Sequence, residues 1–164
     1  MLIVLMGFPG SGKTTLSRIL ARDLGFVFYD IDDHMPIKHR EKMRKNVVLT
    51  DAERDDYISS IIQDLKEIST KNSIVSALVL FREKDRKRIQ ESISDTRFFK
   101  LDAPFEVLIN RLRSRKDHFC NEEILRGTIE REEPVLLDHV RINVNRPIDA
   151  IVENIKQTIL FHTR

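Results

Sequence analysis

The stretch Gly7-Phe8-Pro9-Gly10-Ser11-Gly12-Lys13-Thr14 constrains the fold more than any other part of the chain. It spells G-x-x-x-x-G-K-T, the pattern of a loop that cradles the phosphates of a nucleoside triphosphate. Glycines lack a Cβ, so the backbone can pass close to phosphate oxygens and adopt positive φ. Successive N–H groups then form an anion nest, and a helix starting at the loop adds the positive end of its dipole. In this reading Gly10, Ser11, Gly12, Lys13, Thr14 and Thr15 bind ATP. Lys13 is a point charge for the β and γ phosphates, and Thr14 offers a hydroxyl to Mg²⁺. The flanks agree. Leu2-Ile3-Val4-Leu5-Met6 is an apolar run suited to a buried parallel strand. Leu16, Ile19, Leu20 and Leu24 recur at helical spacing, and Gly25 can end that helix.

Beyond the loop, apolar runs at 26–29, 73–80, 98–101 and 141–144 read as four more strands. Helical patterns separate them, so an α/β fold is expected, with a five-stranded parallel sheet and helices on both faces. The chain has 164 residues, enough for one domain with a real core. A net charge of +2 with interspersed signs, two tyrosines and no tryptophan argue against a nucleic-acid surface. The single cysteine, Cys120, forms no internal disulfide, and the natural home is a reducing cytoplasm. No apolar run nears the ~20 residues of a membrane span. The first strand starts at once, leaving no room for a signal peptide.

Candidate chemistry gathers after the second strand, in Asp30-Ile31-Asp32-Asp33-His34. In extended backbone Asp30 and Asp32 project to one side and Asp33 to the other. The carboxyl end of a strand is where open α/β sheets bind ligands. One carboxylate can then serve Mg²⁺ and the other an acceptor hydroxyl, or both can simply cap the next helix. His34 is either a substrate contact or a solvated loop residue. Lys38, Arg40, Lys42, Arg44 and Lys45 form a basic stretch, either a solvated face or a positive wall for an anionic acceptor. Thr50 and Glu53 form a capping box that opens a helix with Ile58, Ile61, Ile62, Leu65 and Ile68 as its buried stripe. Residues 82–95 read as a highly charged helix with an exposed face. Arg111 and Arg115 share a helix face at the end of the segment that begins at Pro104.

Together these motifs resemble the shikimate kinase and gluconokinase group of P-loop kinases, gluconokinase more closely. The similarity runs in order through Asp30-Ile31-Asp32-Asp33, Glu41-Lys42-Met43, Leu49-Thr50-Asp51-x-x-Arg54 and Ser76-Ala77-Leu78. It continues through Arg111-Leu112-Arg113-Ser114-Arg115-Lys116-Asp117-His118-Phe119, Glu132-Glu133-Pro134 and Asn145-Arg146-Pro147-Ile148. It departs on the acceptor side. Val79 and Leu80 stand where gluconokinases usually carry Lys and another polar residue. Met35 separates His34 from Pro36, His39 replaces the usual Asn, and the usual Gly between Met43 and Leu49 is missing.

The resemblance implies a three-layer P-loop kinase fold with a small helical lid at about 115–123, a homodimer, and ATP-dependent transfer to a hydroxyl of a sugar acid such as gluconate. It implies Lys13 and Arg115 on the transition-state charge, Arg111 and Pro147 around adenine, Thr14 and Asp30 for Mg²⁺, and Asp32 on the acceptor hydroxyl. With Val79 in place of Lys, Arg54 and Arg82 are the nearest cations for an anionic acceptor, joined by His34 and His118. Two other readings stay open: a nucleotide-binding regulatory protein without transfer, and a kinase of nucleoside or polynucleotide 5′ ends.

Overall fold

The computed structural model describes residues 1–45, 47–114 and 121–161. The elements run β1 (Leu2–Gly7), α1 (Lys13–Leu24), β2 (Val27–Asp30), α2 (Ile37–Arg44), α3 (Asp51–Ser69) and β3 (Ile74–Leu78). Then come α4 (Glu83–Ser92), β4 (Thr96–Asp102), α5 (Phe105–Arg113), α6 (Glu122–Glu130), β5 (Val140–Asn143) and α7 (Ile148–Phe161).

Period-two burial on β1 sets the layers. Leu2, Val4 and Met6 pack on one face and Ile3 and Leu5 on the other, and all five are buried. A strand buried on both faces needs cover on both. α1 and α7 cover the Ile3 face through Leu16, Leu20, Ile151 and Ile155. α3 covers the Leu2 face through Ile58, Ile61, Ile62 and Leu65. Thr50 and Glu53 make the expected capping box at the start of α3.

The strands are all parallel, in the order β2-β3-β1-β4-β5, with Leu2 of β1 opposite Ile74 of β3 and Thr96 of β4. Their carboxyl ends therefore share one edge. The chain places β2 and β3 to one side of β1 and then crosses to β4, which opens a crevice at the carboxyl end of β1. The glycine-rich loop, Asp30 and the residues after β3 meet there. The sheet is the one expected, although β3 stops at Leu78 rather than 80. The expected lid at 115–123 lies mostly outside the described residues; its last two residues open α6.

α4 departs from its reading as an exposed charged helix. Arg82, Glu83, Asp85 and Arg86 around its start are buried. Arg86 is wholly enclosed and donates to the carbonyls of Leu80 (2.7 Å), Glu133 (2.8 Å) and Pro134 (2.9 Å) and to the Glu83 carboxylate (2.7 Å). Loop carbonyls outside the sheet need donors, and one guanidinium carries five N–H bonds. Arg86 thus ties the turn after β3 to the segment after α6. Arg86→Ala is expected to destabilise the fold by about 3–5 kcal/mol, the range for breaking a buried ion pair. Urea unfolding measures this, and a change below about 1 kcal/mol, typical of an exposed pair, would contradict it.

Candidate active site

The loop's shape follows from its glycines. Gly10 and Gly12 hold φ of 83° and 88°, in the left-handed region that other residues rarely adopt. A Cβ on Gly10 would also lie 2.6 Å from the Leu108 carbonyl oxygen of α5. Gly12 caps α1 and has no side chain to accept from the first-turn N–H groups. Those donors suit an anion. Ser11 is buried, with its amide on the Phe8 carbonyl (3.1 Å), and Thr15 is exposed. Lys13 Nζ donates to the Phe8 carbonyl at 2.9 Å.

Two carboxylates stand beside this loop, split by a turn. Asp30 ends β2 and is buried; its Oδ2 accepts the Thr14 hydroxyl at 2.7 Å, and its Oδ1 accepts the Asp32 amide at 3.0 Å. The backbone then turns over 31–34, so Asp32 does not lie beside Asp30 as an extended strand would put it. Asp32 is half-buried and faces a cavity of about 470 Å³ that Lys13 and Thr14 also line. Burial, and then the Asp30 charge, raise its carboxyl pKa above the usual carboxylate range. The turn is pinned from outside. Arg40 donates to the Asp32 carbonyl at 2.8 Å, and the Tyr57 hydroxyl donates to the Ile31 carbonyl. Asp33 is exposed and away from the cavity.

The expected acceptor cations separate. Arg54 lines the cavity. Its Nη2 donates to the Val79 carbonyl, its Nε to Asp85 at 3.3 Å, and its guanidinium lies 4.2 Å from the centre of the Phe81 ring. Nη1 makes no hydrogen bond to another described residue. Arg82 is not an acceptor ligand in this geometry. It is 5% exposed and is held by Asp85 (2.8 Å), Asp51 (3.0 Å) and Asp55 (2.7 Å), all its nitrogens engaged. Asp85 bridges the two arginines, so Arg82 positions Arg54 at one remove. His34 also falls outside the cavity. Its ring stacks on Tyr29 at 4.2 Å, with Nδ1 3.4 Å from Asp64. The basic stretch does not form a positive wall: Lys42 pairs with Glu53 (2.5 Å), Arg40 holds Asp32, and Met43 is the residue of α2 that lines the cavity. His39 is buried, its ring edge-on to Tyr57.

On the far side of the loop, Arg111 donates to the Val144 carbonyl at 2.8 Å, three residues before the exposed Pro147 in the chain. Arg115 and His118 lie outside the described residues. Reasoning from sequence missed Tyr57, Phe81, Val47 and Val48 as lining residues. A signal existed for the valines: they are an apolar pair outside any periodic element, between a basic stretch and a capping box.

The family profile described as an AAA domain matches residues 3–141. A Xenopus tropicalis protein named "Probable gluconokinase" is 32% identical over 178 aligned residues, covering 95% of this chain and 92% of that one. This chain is an AAA-domain protein of the gluconokinase family. The thermosensitive gluconokinase of Escherichia coli (strain K12) is 28% identical, covering 96% of this chain and 86% of that one. A sugar kinase from Janibacter sp. HTCC2649, solved unliganded, shares the fold with a TM-score of 0.88 at 23% identity, covering 95% of this chain and 92% of that one. Membership of the gluconokinase family makes the chain a small-molecule kinase that uses ATP, the first of the three readings left open by the sequence. Among the described residues no helix is long and apolar enough to cross a membrane.

Proposed function

We propose that this gluconokinase-family chain moves the γ-phosphoryl group of Mg·ATP to a hydroxyl of a small hydroxy acid of the sugar-acid class. Gluconate, which its relatives are named for, is the reference acceptor. The observation that carries this is one cavity lined by Lys13, Thr14, Asp32 and Arg54. Asp32 takes the proton from the acceptor hydroxyl as that oxygen bonds to the γ-phosphorus. The bond from the γ-phosphorus to the bridging oxygen breaks, and its electron pair leaves with ADP. Lys13 and the loop amides balance the charge on the transferring oxygens. A raised pKa suits Asp32 to this work, since a base is most effective when its pKa approaches the working pH.

Thr14 and Asp30 are hard oxygen donors 2.7 Å apart, a set that fits Mg²⁺. Thr14 would hold the ion directly and Asp30 through water; when bound, the ion neutralises charge on the β and γ oxygens. Arg111 and Pro147 are assigned to the adenine, and Arg115, four residues past Arg111, to the transition-state charge. His118 is assigned to the acceptor. The homodimer remains part of the proposal on family grounds, and the cytoplasmic home on the single cysteine, Cys120.

Arg54 Nη1 is assigned to the acceptor's carboxylate. ADP formation at saturating Mg·ATP should rise when gluconate is added. Arg54→Ala should lower acceptor kcat/KM about 10- to 150-fold, the equivalent of one lost charge-assisted bond of about 1.5–3 kcal/mol. The KM for ATP should change little. Arg82→Ala should instead lower Tm, since it removes the arginine from three carboxylates and leaves the buried Asp85 with Arg54 as its cation and Asp55 with Lys84. Wild-type acceptor kinetics in Arg54→Ala would remove Arg54 from the site, and no response to gluconate or any other hydroxy acid would remove the acceptor class.

A further inference from the structure

Asp32 sits on a short turn that side chains from β2, α2 and α3 hold in place. Two peptide units flank its Cα, and each is held at both ends. In the first, the Ile31 carbonyl accepts the Tyr57 hydroxyl of α3, and the Asp32 amide donates to the Asp30 carboxylate at 3.0 Å. In the second, the Asp32 carbonyl accepts from Arg40 Nη2 of α2 at 2.8 Å, and the Asp33 amide donates to the Asp30 carbonyl at 3.2 Å. The turn's own bonds to the same two carbonyls are long: 3.2 Å from the His34 amide to Ile31, and 3.4 Å from the Met35 amide to Asp32. Tyr57 is 2% exposed and Arg40 is half-buried.

Peptide units are planar, so the two soft dihedrals of a residue are rotations between the units on either side of its Cα. Holding both units fixes the direction of the Asp32 Cβ, and with it the reach of the carboxylate. A general base must lie within hydrogen-bond distance of the proton it takes. A misplacement of about 1 Å can cost on the order of 10²-fold in rate. Asp30 has a second task, since it also accepts the Thr14 hydroxyl. Tyr57 and Arg40 act on the turn from the two helices that follow it. We propose that Tyr57 and Arg40 are positioning residues for phosphoryl transfer, which aim Asp32 by holding the carbonyls on either side of its Cα; this rests on the assignment of Asp32 as the base. Neither residue has to meet the reacting atoms, because each acts through the backbone that carries the base.

The test is a set of double-mutant cycles with gluconate and Mg·ATP, following the phosphate ester. Tyr57→Phe removes one hydroxyl and keeps the ring. Arg40→Met removes the donor and keeps most of the stem. Each should lower kcat by about tenfold or more, within the 10²- to 10⁴-fold that a general base supplies. The KM for ATP and for gluconate should change less than about twofold, since uniform binding is untouched. Arg40→Lys, which keeps a donor, should recover part of the loss. In an Asp32→Asn background the same two substitutions should change kcat by less than about twofold, because residues that act as a unit are not additive. Should Tyr57→Phe fail to fold, the half-buried Arg40 carries the test. Wild-type kcat in both single variants, a loss that falls on the gluconate KM, or a loss of equal size in the Asp32→Asn background overturns the positioning proposal and leaves Asp32 as the base. An Asp32→Asn enzyme within tenfold of wild-type kcat, or a wild type that makes no ester, overturns the base assignment and the proposal with it.

Discussion

Replacing Asp32 with Asn should lower kcat by about 10²- to 10⁴-fold, the usual contribution of a positioned general base. The KM for ATP should change little, because Asp32 is assigned to the acceptor and Asp30 to the metal. The same variant should raise Tm. Burial and the Asp30 charge favour the protonated form in the fold, so the folded pKa lies above the unfolded one. Ionisation of Asp32 therefore weakens the fold as pH rises through that window, and Asn removes the charge that causes it. Activity has the opposite sign: acceptor kcat/KM in the wild type should fall as pH is lowered through the raised pKa, because the base is lost. Steady-state kinetics and thermal unfolding of Asp32→Asn check both halves. If Asp33→Asn is the more damaging variant, the base has been placed on the wrong carboxylate.

Lys13→Ala should cost at least about 10²- to 10³-fold in turnover, the scale for removing one preorganised donor from a developing anion. Its Nζ sits on the Phe8 carbonyl at the mouth of the loop, next to amides that no side chain caps. Ala is a good helix former at the first position of α1, so the fold should be retained. Turnover within tenfold of wild type at saturating Mg·ATP, with an unchanged Tm, would contradict the assignment.

What could be read from the sequence follows how local each feature is. Gly10 and Gly12 announce the loop because only glycine tolerates its backbone there. The flanking apolar runs announce the parallel sheet because both faces of each central strand are covered. Asp30 and Asp32 were legible as a pair, and the family resemblance divided their labour, but the turn that separates them was not legible. An extended backbone would have put them side by side, and the turn over 31–34 sends one to Thr14 and the other to the cavity. Arg54, at the start of α3, and Arg82, just past β3, looked alike in sequence as the nearest cations for an anionic acceptor. What separates them is tertiary. Asp51 and Asp55 from α3 converge with Asp85 on Arg82, and no periodicity reports that convergence. The charged start of α4 misled for the same reason, since burial of Arg86 depends on carbonyls from two distant loops. His34 was drawn away by stacking on Tyr29, and Val47 and Val48 carried only the weak signal of an apolar pair outside any periodic element.

The central claim is transfer of a phosphoryl group from ATP to a small hydroxy acid. The most direct measurement follows γ-labelled ATP with Mg²⁺ and a panel of hydroxy acids, separating labelled phosphate ester from labelled inorganic phosphate. The account predicts label in an ester of at least one acid, in step with ADP formed, and loss of that ester in Asp32→Asn. Label appearing only as inorganic phosphate with every acid, at a rate the acids do not change, would contradict it.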